Sequence, residues 1–315
     1  MVEQGWGQQA ERSNVFWIRL LALISLWCGR RCVRLVLVPV CCFYLLFARD
    51  SAAHSKRYLA KIRPSNKSFF YDLASVWKHF YTFASVSVDR FFFLAGKDDG
   101  FDIEYNGEDI LKTYADKKQG CIILVSHIGS FEVMRSRAKK LGLPPLHIVL
   151  DVKHNAAAMA VLSRLNPEMA ANIIDARLPP QALALELNER LAAGCMVGIM
   201  ADRASAGEKQ ISCDFLGQQA LLPAGPWLLA SVLKVPVFLC VGLFLGGNRY
   251  RVAVSLLAEQ VAAPRRERLG FIAGFMQTYC RSLEQELRKA PYNWFNFYNF
   301  WVNDVSEADK TITHH

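Results

Sequence analysis

A histidine and a carboxylate five residues apart stand in Ser126-His127-Ile128-Gly129-Ser130-Phe131-Glu132, directly behind the apolar run Cys121-Ile122-Ile123-Leu124-Val125. An imidazole oriented by a carboxylate is the pair that takes a proton from a hydroxyl as it attacks a carbonyl. On an unbroken helix at roughly 100° per residue, five steps leave two side chains about 140° apart. The two meet only if His127 lies before a helix and Glu132 in its first turn. Gly129 supplies the turn, Ser130 is a good N-cap, and the helix dipole favours an acid at that end. No G-x-S-x-G, H-E-x-x-H or Walker pattern competes with this element. Cys121 is a poor nucleophile for His127, because it starts the strand that the histidine ends.

Three further stretches carry possible chemistry. Met196-Val197-Gly198-Ile199-Met200-Ala201-Asp202-Arg203 places an acid and a base after a second apolar strand, as either a site acid or a surface salt bridge. Leu221-Leu222-Pro223-Ala224-Gly225-Pro226-Trp227 reads as a rigid turn opening a helix, either plain loop geometry or a backbone cradle for a thioester carbonyl. The run from Pro291 to Trp301 interleaves aromatics with Asn293, Asn296 and Asn299, as a core plug or as a wall beside an acyl chain.

The elements that position these residues follow from periodicity. Apolar and aromatic positions at three-to-four spacing (Phe70, Leu73, Val76, Trp77, Phe80, Phe83) predict a long amphipathic helix over 69–94. Strands are expected at 121–126, 146–150, 172–175, 195–200, 235–245 and 250–257. Helices are expected near 131–141, 155–166, 180–193, 224–234 and 264–289. The alternation predicts an α/β fold with a central, mostly parallel sheet flanked by helices. His127 then falls at the carboxyl end of a strand, where such sheets place their sites.

Charge divides the chain. Residues 1–63 hold 10 Lys/Arg against 3 Asp/Glu, whereas the other 252 of the 315 residues are nearly neutral. Two apolar segments, Val15 to Cys28 and Val33 to Ala48, lie in that basic quarter, separated by Gly29-Arg30-Arg31. Each is short of the ~20 residues that span a bilayer. They read as a helical hairpin dipping into one leaflet, as one tilted span, or as a pair of core helices. In the membrane readings Arg30, Arg31, Arg34, Arg49, Lys56, Arg57, Lys61 and Arg63 lie at the headgroups. A basic excess also suits nucleic acid, but the long aliphatic stretches and the lack of a nucleic-acid motif argue against it. The expected divisions are a membrane-association segment at 1–63, a catalytic α/β domain at 64–303 and a flexible tail at 304–315. The nine cysteines form no C-x-x-C pair and sit mostly in apolar runs, as buried thiols in a reducing compartment.

In this order, the amphipathic N-terminus, strand-His127-x4-Glu132-helix, strand-Ala201-Asp202, Phe215-Leu216-Gly217, Pro223-x-Gly225-Pro226 and the late Trp294 segment resemble the lysophospholipid acyltransferase superfamily, specifically its bacterial lipid A late-acyltransferase branch. The resemblance covers roughly residues 15–300. It implies that His127 is the general base with Glu132 as its partner, and that Asp202, Arg203, Pro223 and Gly225 line the site. An arginine upstream of the acid is also implied, for which Arg177 is nearest. An acyl thioester on acyl carrier protein or coenzyme A would donate the chain to a lipid acceptor at the cytoplasmic face of the inner membrane. Backbone amides near Gly129-Ser130 or Gly225 would hold the oxyanion, and no metal or organic cofactor is expected. A hydrolase using the same dyad, or a non-catalytic membrane-surface protein, are the competing readings. The branch usually has a His-Arg-Arg-like stretch after the late Trp. Here Trp294 leads into Phe295-Asn296-Phe297-Tyr298-Asn299, which leaves the acceptor open between a lipid A precursor and another amphiphile, such as an ornithine-lipid-like or polyene-lipid headgroup.

Overall fold

A computed structural model describes residues 15–302 apart from 64–68, 206, 263 and 265. The start of the basic segment, the junction at 64–68 and the expected tail at 304–315 lie outside the described residues. The chain opens on helices α1 (Val15–Phe47), α2 (Arg49–Ile62) and α3 (Phe69–Leu94). Gly29, the expected separator, is a kink inside α1 with φ 79° and ψ 159°. A second bend of 96° separates α1 from α2, and among the described residues no single helix is long and apolar enough to cross a membrane.

The body continues as β1 (Asp102–Asn106), α4 (Glu108–Asp116), β2 (Cys121–Val125), α5 (Phe131–Lys140), β3 (Leu146–Leu150), α6 (Ala156–Leu165), α7 (Pro167–Ala171) and β4 (Ile173–Asp175). Then come α8 (Pro180–Ala192), β5 (Met196–Met200), β6 (Gln210–Phe215), β7 (Gln218–Pro223), α9 (Gly225–Leu233), β8 (Val237–Gly246), β9 (Arg249–Ala258) and α10 (Arg268–Lys289). Seven strands form one sheet in the order β1-β9-β8-β2-β5-β3-β4. β8, β2, β5, β3 and β4 run parallel, while β9 turns back on β8 and carries β1 with it. The expected α/β class, a mostly parallel sheet flanked by helices, is what the chain adopts.

Every residue of β2 is buried, so its short apolar run is that of a central strand covered on both faces. Alternate side chains serve different cores. Ile122 and Leu124 pack with Trp227, Ile272, Met276, Tyr279 and Leu283 of α9 and α10. Cys121, Ile123 and Val125 pack with Val86 and Phe93 of α3 and Val133 and Met134 of α5. Both layers are needed to hold the strand end that carries His127.

β1, α4, the short α7 and the β6–β7 hairpin were missed in the sequence. β1 is an edge strand whose alternate residues are exposed, and α4 is a short helix with one buried side chain, so neither carries a strong apolar pattern. The β6–β7 hairpin turns at Leu216 and Gly217, both with positive φ (52° and 78°), as a tight two-residue turn requires. The stretch Leu221-Pro223, read as a turn, is therefore the end of a strand.

The N-terminal arginines also differ from expectation. Arg30 and Arg34 do not both lie at the surface: each reaches the buried Asp89 of α3, at 2.7 and 2.6 Å, and their side chains are only 16% and 14% exposed. Tyr250 donates to the same carboxylate at 2.8 Å. A buried anion requires such partners, and the need overrides the headgroup. Lys61 lies over the Trp301 ring and Arg63 over Tyr71 and Tyr292, so they too lie against the domain.

Candidate active site

β2 and β5 lie side by side and end level. Val125 pairs with Met200, and the Ala201 amide donates to the Val125 carbonyl at 3.0 Å. Two residues beyond each end stand His127 and Asp202. The His127 Nδ1 is 3.0 Å from Asp202 Oδ1 and 3.2 Å from Oδ2, and the His127 main-chain N–H donates to Oδ2 at 2.9 Å. Asn296 Nδ2 donates to the same oxygen at 2.9 Å. The Asp202 side chain is wholly buried while His127 is 24% exposed, so the ring is the part of the pair that solvent reaches.

Burial of Asp202 favours its neutral form, but the opposing pulls of His127, Arg203 and the Asn296 amide win and hold the carboxyl at about 2. An ionised Asp202 only accepts, so the proton between the two belongs to Nδ1. His127 itself is lowered from its usual 6.5, first by burial and then by the charges of Arg203 and Arg90, against the pull of Asp202. The result at neutral pH is an uncharged imidazole with the lone pair on Nε2, which is the form a base must have.

Glu132 stands in the first turn of α5, as expected, but it is not the carboxylate at Nδ1. Its Oε1 lies 2.5 Å from Nε of Arg90 on α3, and its Oε2 accepts from Ser130 Oγ at 3.1 Å. The reason is the path of the loop. Gly129 turns with φ 55°, its amide donates to the Asn293 carbonyl at 2.9 Å, and the Ser130 amide donates to the Gly242 carbonyl at 2.7 Å. The loop is thereby pinned on β8. A Cβ on Gly129 would strike the Gly242 carbonyl, and one on Gly242 would strike that of Ser130. The same bonds occupy the expected oxyanion donors. The Gly129 and Ser130 amides are already used, and the Gly225 amide donates to the Glu208 carboxylate.

The other expected residues divide. Arg203 belongs to the site's frame: Nε donates to Asn296 Oδ1 at 2.6 Å, Nη2 to the Phe295 carbonyl at 2.9 Å, and the guanidinium lies over Tyr298. Pro223 and Gly225 form the β7–α9 junction, where the Ala224 amide donates to the Lys209 carbonyl at 2.8 Å and Gly225 faces Glu208. Arg177 is exposed beyond β4, its amide donating to Asp175 Oδ1 at 3.0 Å. Three strand spacings, about 14 Å, separate β4 from β2, so Arg177 shares the sheet edge but not the site.

The aromatic run near the end of the described chain proves to be both plug and scaffold. Trp294, Phe295, Phe300 and Trp301 are buried. The Phe295 amide donates to the His127 carbonyl at 2.8 Å, and Ile128 bridges Trp294. The Asn293 side chain closes two bonds with the Phe244 backbone on β8, at 2.7 and 3.0 Å. His79 of α3, fully enclosed and lowered by burial to about 4, sits between Ser55 Oγ and the Trp294 carbonyl. Beside His127, Ser126 Oγ pairs with the Tyr279 hydroxyl at 2.7 Å. Asn293, Asn296, Arg90 and Tyr279 were missed as supports. The interleaving of amides with aromatics was the one signal for the first two, since a buried amide must find partners.

The sequence profile of the bacterial lipid A biosynthesis acyltransferase family matches residues 97–303. The chain belongs to that family and is an acyltransferase acting on lipid. Comparison with individually curated proteins gives no match. The match begins after α3, so the family profile covers the sheet, the His127–Asp202 pair and α4 to α10, but not α1, α2 and α3.

Proposed function

We propose that the protein moves a fatty acyl chain from an acyl thioester, on acyl carrier protein or coenzyme A, to a hydroxyl or amine of a lipid acceptor, with His127 as general base oriented by Asp202. The observation that carries this reading is the Nδ1 contact with an ionised, buried Asp202, which leaves a neutral imidazole at the exposed end of the pair. For a hydroxyl acceptor, its proton passes to Nε2 as its oxygen bonds to the carbonyl carbon and the carbonyl π pair moves onto oxygen. That pair then returns, the C–S bond breaks, and the His127 proton goes to the leaving thiolate. The thioester and the acceptor supply every bond that changes.

The reaction is assigned to the cytoplasmic face of the bacterial inner membrane on the character of α1. Trp27, Leu35, Phe47, Leu46 and Leu23 are 92%, 73%, 70%, 66% and 64% exposed, an apolar surface far beyond what a water-facing helix presents. Arg31 on the same helix has the charge that suits anionic headgroups. Near His127, the half-exposed Phe83 of α3 lies 5.2 and 5.5 Å from Phe295 and Phe297, an apolar wall that fits an acyl chain.

The test is transfer from acyl carrier protein or coenzyme A thioesters to a bacterial lipid extract, read by mass spectrometry. An acylated lipid that is absent with His127→Ala supports the reading, and its mass names the acceptor among the lipid A precursor, ornithine-lipid-like and polyene-lipid alternatives. Free fatty acid with no acylated lipid, native acceptor present, overturns it in favour of a hydrolase.

A further inference from the structure

The seam between α3 and α5 holds a cation whose placement the family profile does not reach. Arg90 and Phe83 are seven residues apart on α3, two turns and therefore one face, roughly 10 Å along the axis. Phe83 touches Phe295, whose amide is bonded to the His127 carbonyl, so this face of α3 borders the site. At the other end of the face, Arg90 Nε lies 2.5 Å from Glu132 Oε1. Ser130 Oγ fixes the other oxygen of Glu132, which is 4% exposed and stands in the helix turn that follows the His127 loop. Glu132 thus meets the guanidinium, a group with five N–H donors, at Nε as an ion pair, while the Arg90 side chain is 54% exposed. The charge of Arg90 is felt at His127, where it opposes protonation alongside Arg203 and against Asp202.

The tetrahedral intermediate needs donors for its oxyanion, and the three backbone amides that the loop chemistry suggested are engaged elsewhere, by Asn293, Gly242 and Glu208. Arg203 is committed to Asn296 and Phe295. The geometry points to Arg90 as the oxyanion-stabilising residue of the reaction, held in place by Glu132, whose task is to position the guanidinium and not the histidine. This rests on the acyl-transfer reading above. As the acceptor oxygen attacks, the carbonyl π pair becomes a negative charge on the thioester oxygen, and the guanidinium receives it through Nη–H donors. When the C–S bond breaks the charge returns to the carbonyl and Arg90 is unchanged. Such a donor acts on charge present only in the transition state, so its removal shows in kcat.

The experiment compares the full chain with Arg90→Ala, Arg90→Lys, Glu132→Gln and the double variant, in detergent with an acyl thioester donor. Arg90→Ala is expected to lower kcat by about 10²–10³-fold with a donor KM within about threefold of the parent. Arg90→Lys should recover part of the loss, and added methylguanidinium should raise the rate of Arg90→Ala. Glu132→Gln should cost roughly tenfold alone and almost nothing further on Arg90→Ala, because both act through one group. The acidic limb of the Arg90→Ala rate profile should move to higher pH, since one cation opposing His127 protonation is lost.

The exposed pair Arg251–Glu104 at the edge of the sheet serves as control, and Glu104→Gln should leave transfer unchanged. A folded Arg90→Ala enzyme with near-parent kcat overturns the proposal. So does a loss that follows a fall in Tm, is not rescued by methylguanidinium and leaves the pH limb in place, since the pair would then be a strap between helices. If the parent cleaves thioester without acylating lipid, the transfer reading fails. The oxyanion role is then read on hydrolysis by the same variants. No turnover of either kind by the parent overturns both.

Discussion

Two buried acids flank His127, and they differ in what brings them there. Glu132 follows it by five residues in the same loop and helix, at the seam between α3 and α5. Asp202 is 75 residues away and arrives because β2 and β5 end level. The nearer acid binds Arg90 and Ser130, whereas the distant one takes the imidazole. Adjacency in the chain sets where a side chain starts, but pinning of the loop decides where it points. The Gly129 and Ser130 amides are tied to Asn293 and Gly242, and the His127 amide is tied to Asp202.

That contrast is open to direct attack. The largest effect is expected for His127→Ala, which should lower transfer by at least about 10³–10⁴-fold while expression and folding are kept. Transfer at parent rates would remove the base from the scheme. Asp202→Asn keeps the shape but loses the anion that fixes the tautomer, and a loss of roughly 10³-fold is expected. Its cost should exceed that of Glu132→Gln by at least about tenfold. The reverse ranking in steady-state kinetics would restore the chain-adjacent pair.

Gly129→Ala should destabilise the fold by about 2–4 kcal/mol in denaturant titration, combining a left-handed backbone with a collision at the Gly242 carbonyl. An unchanged midpoint would show that the loop is not pinned as described. Asn296→Leu removes a hydrogen bond to a buried carboxylate and should cost roughly tenfold to a hundredfold in kcat. Equal activity in that variant would detach the aromatic segment from the chemistry.

The smallest expected effect is in pH. With neutral His127 as the proposed active form and its pKa lowered from 6.5 by burial, the midpoint of the acidic limb of kcat/KM should fall below 6.5. In Asp202→Asn the anion that favours protonation is gone, so the acidic limb of the residual activity should move lower still. A limb above 6.5 in the parent would contradict the balance of burial over attraction.

The two regions also differ in how legible they were. Apolar runs of five or six residues gave the central strands, and the residues two past β2 and β5 were both recognised as chemical. Their pairing was not legible, because strand order and register are long-range properties that no local pattern carries. The membrane readings put all the basic residues of the N-terminus at headgroups, yet Arg30 and Arg34 turn inward on Asp89, an acid inside an otherwise apolar helix face. The hairpin of β6 and β7 escaped notice because its tight turn holds a leucine at positive φ.

By itself, then, the sequence determined the class of fold, the histidine and the ordered set of motifs that place the chain among lipid acyltransferases, since composition and spacing act locally. Only the tertiary structure decided which acid serves His127, which backbone amides are already engaged and which arginine stands beside the site. Those outcomes depend on two strands ending at one level and on a glycine loop lying flat against a third. Each is a contact between segments far apart in the chain, and its energy exists only once the sheet has formed.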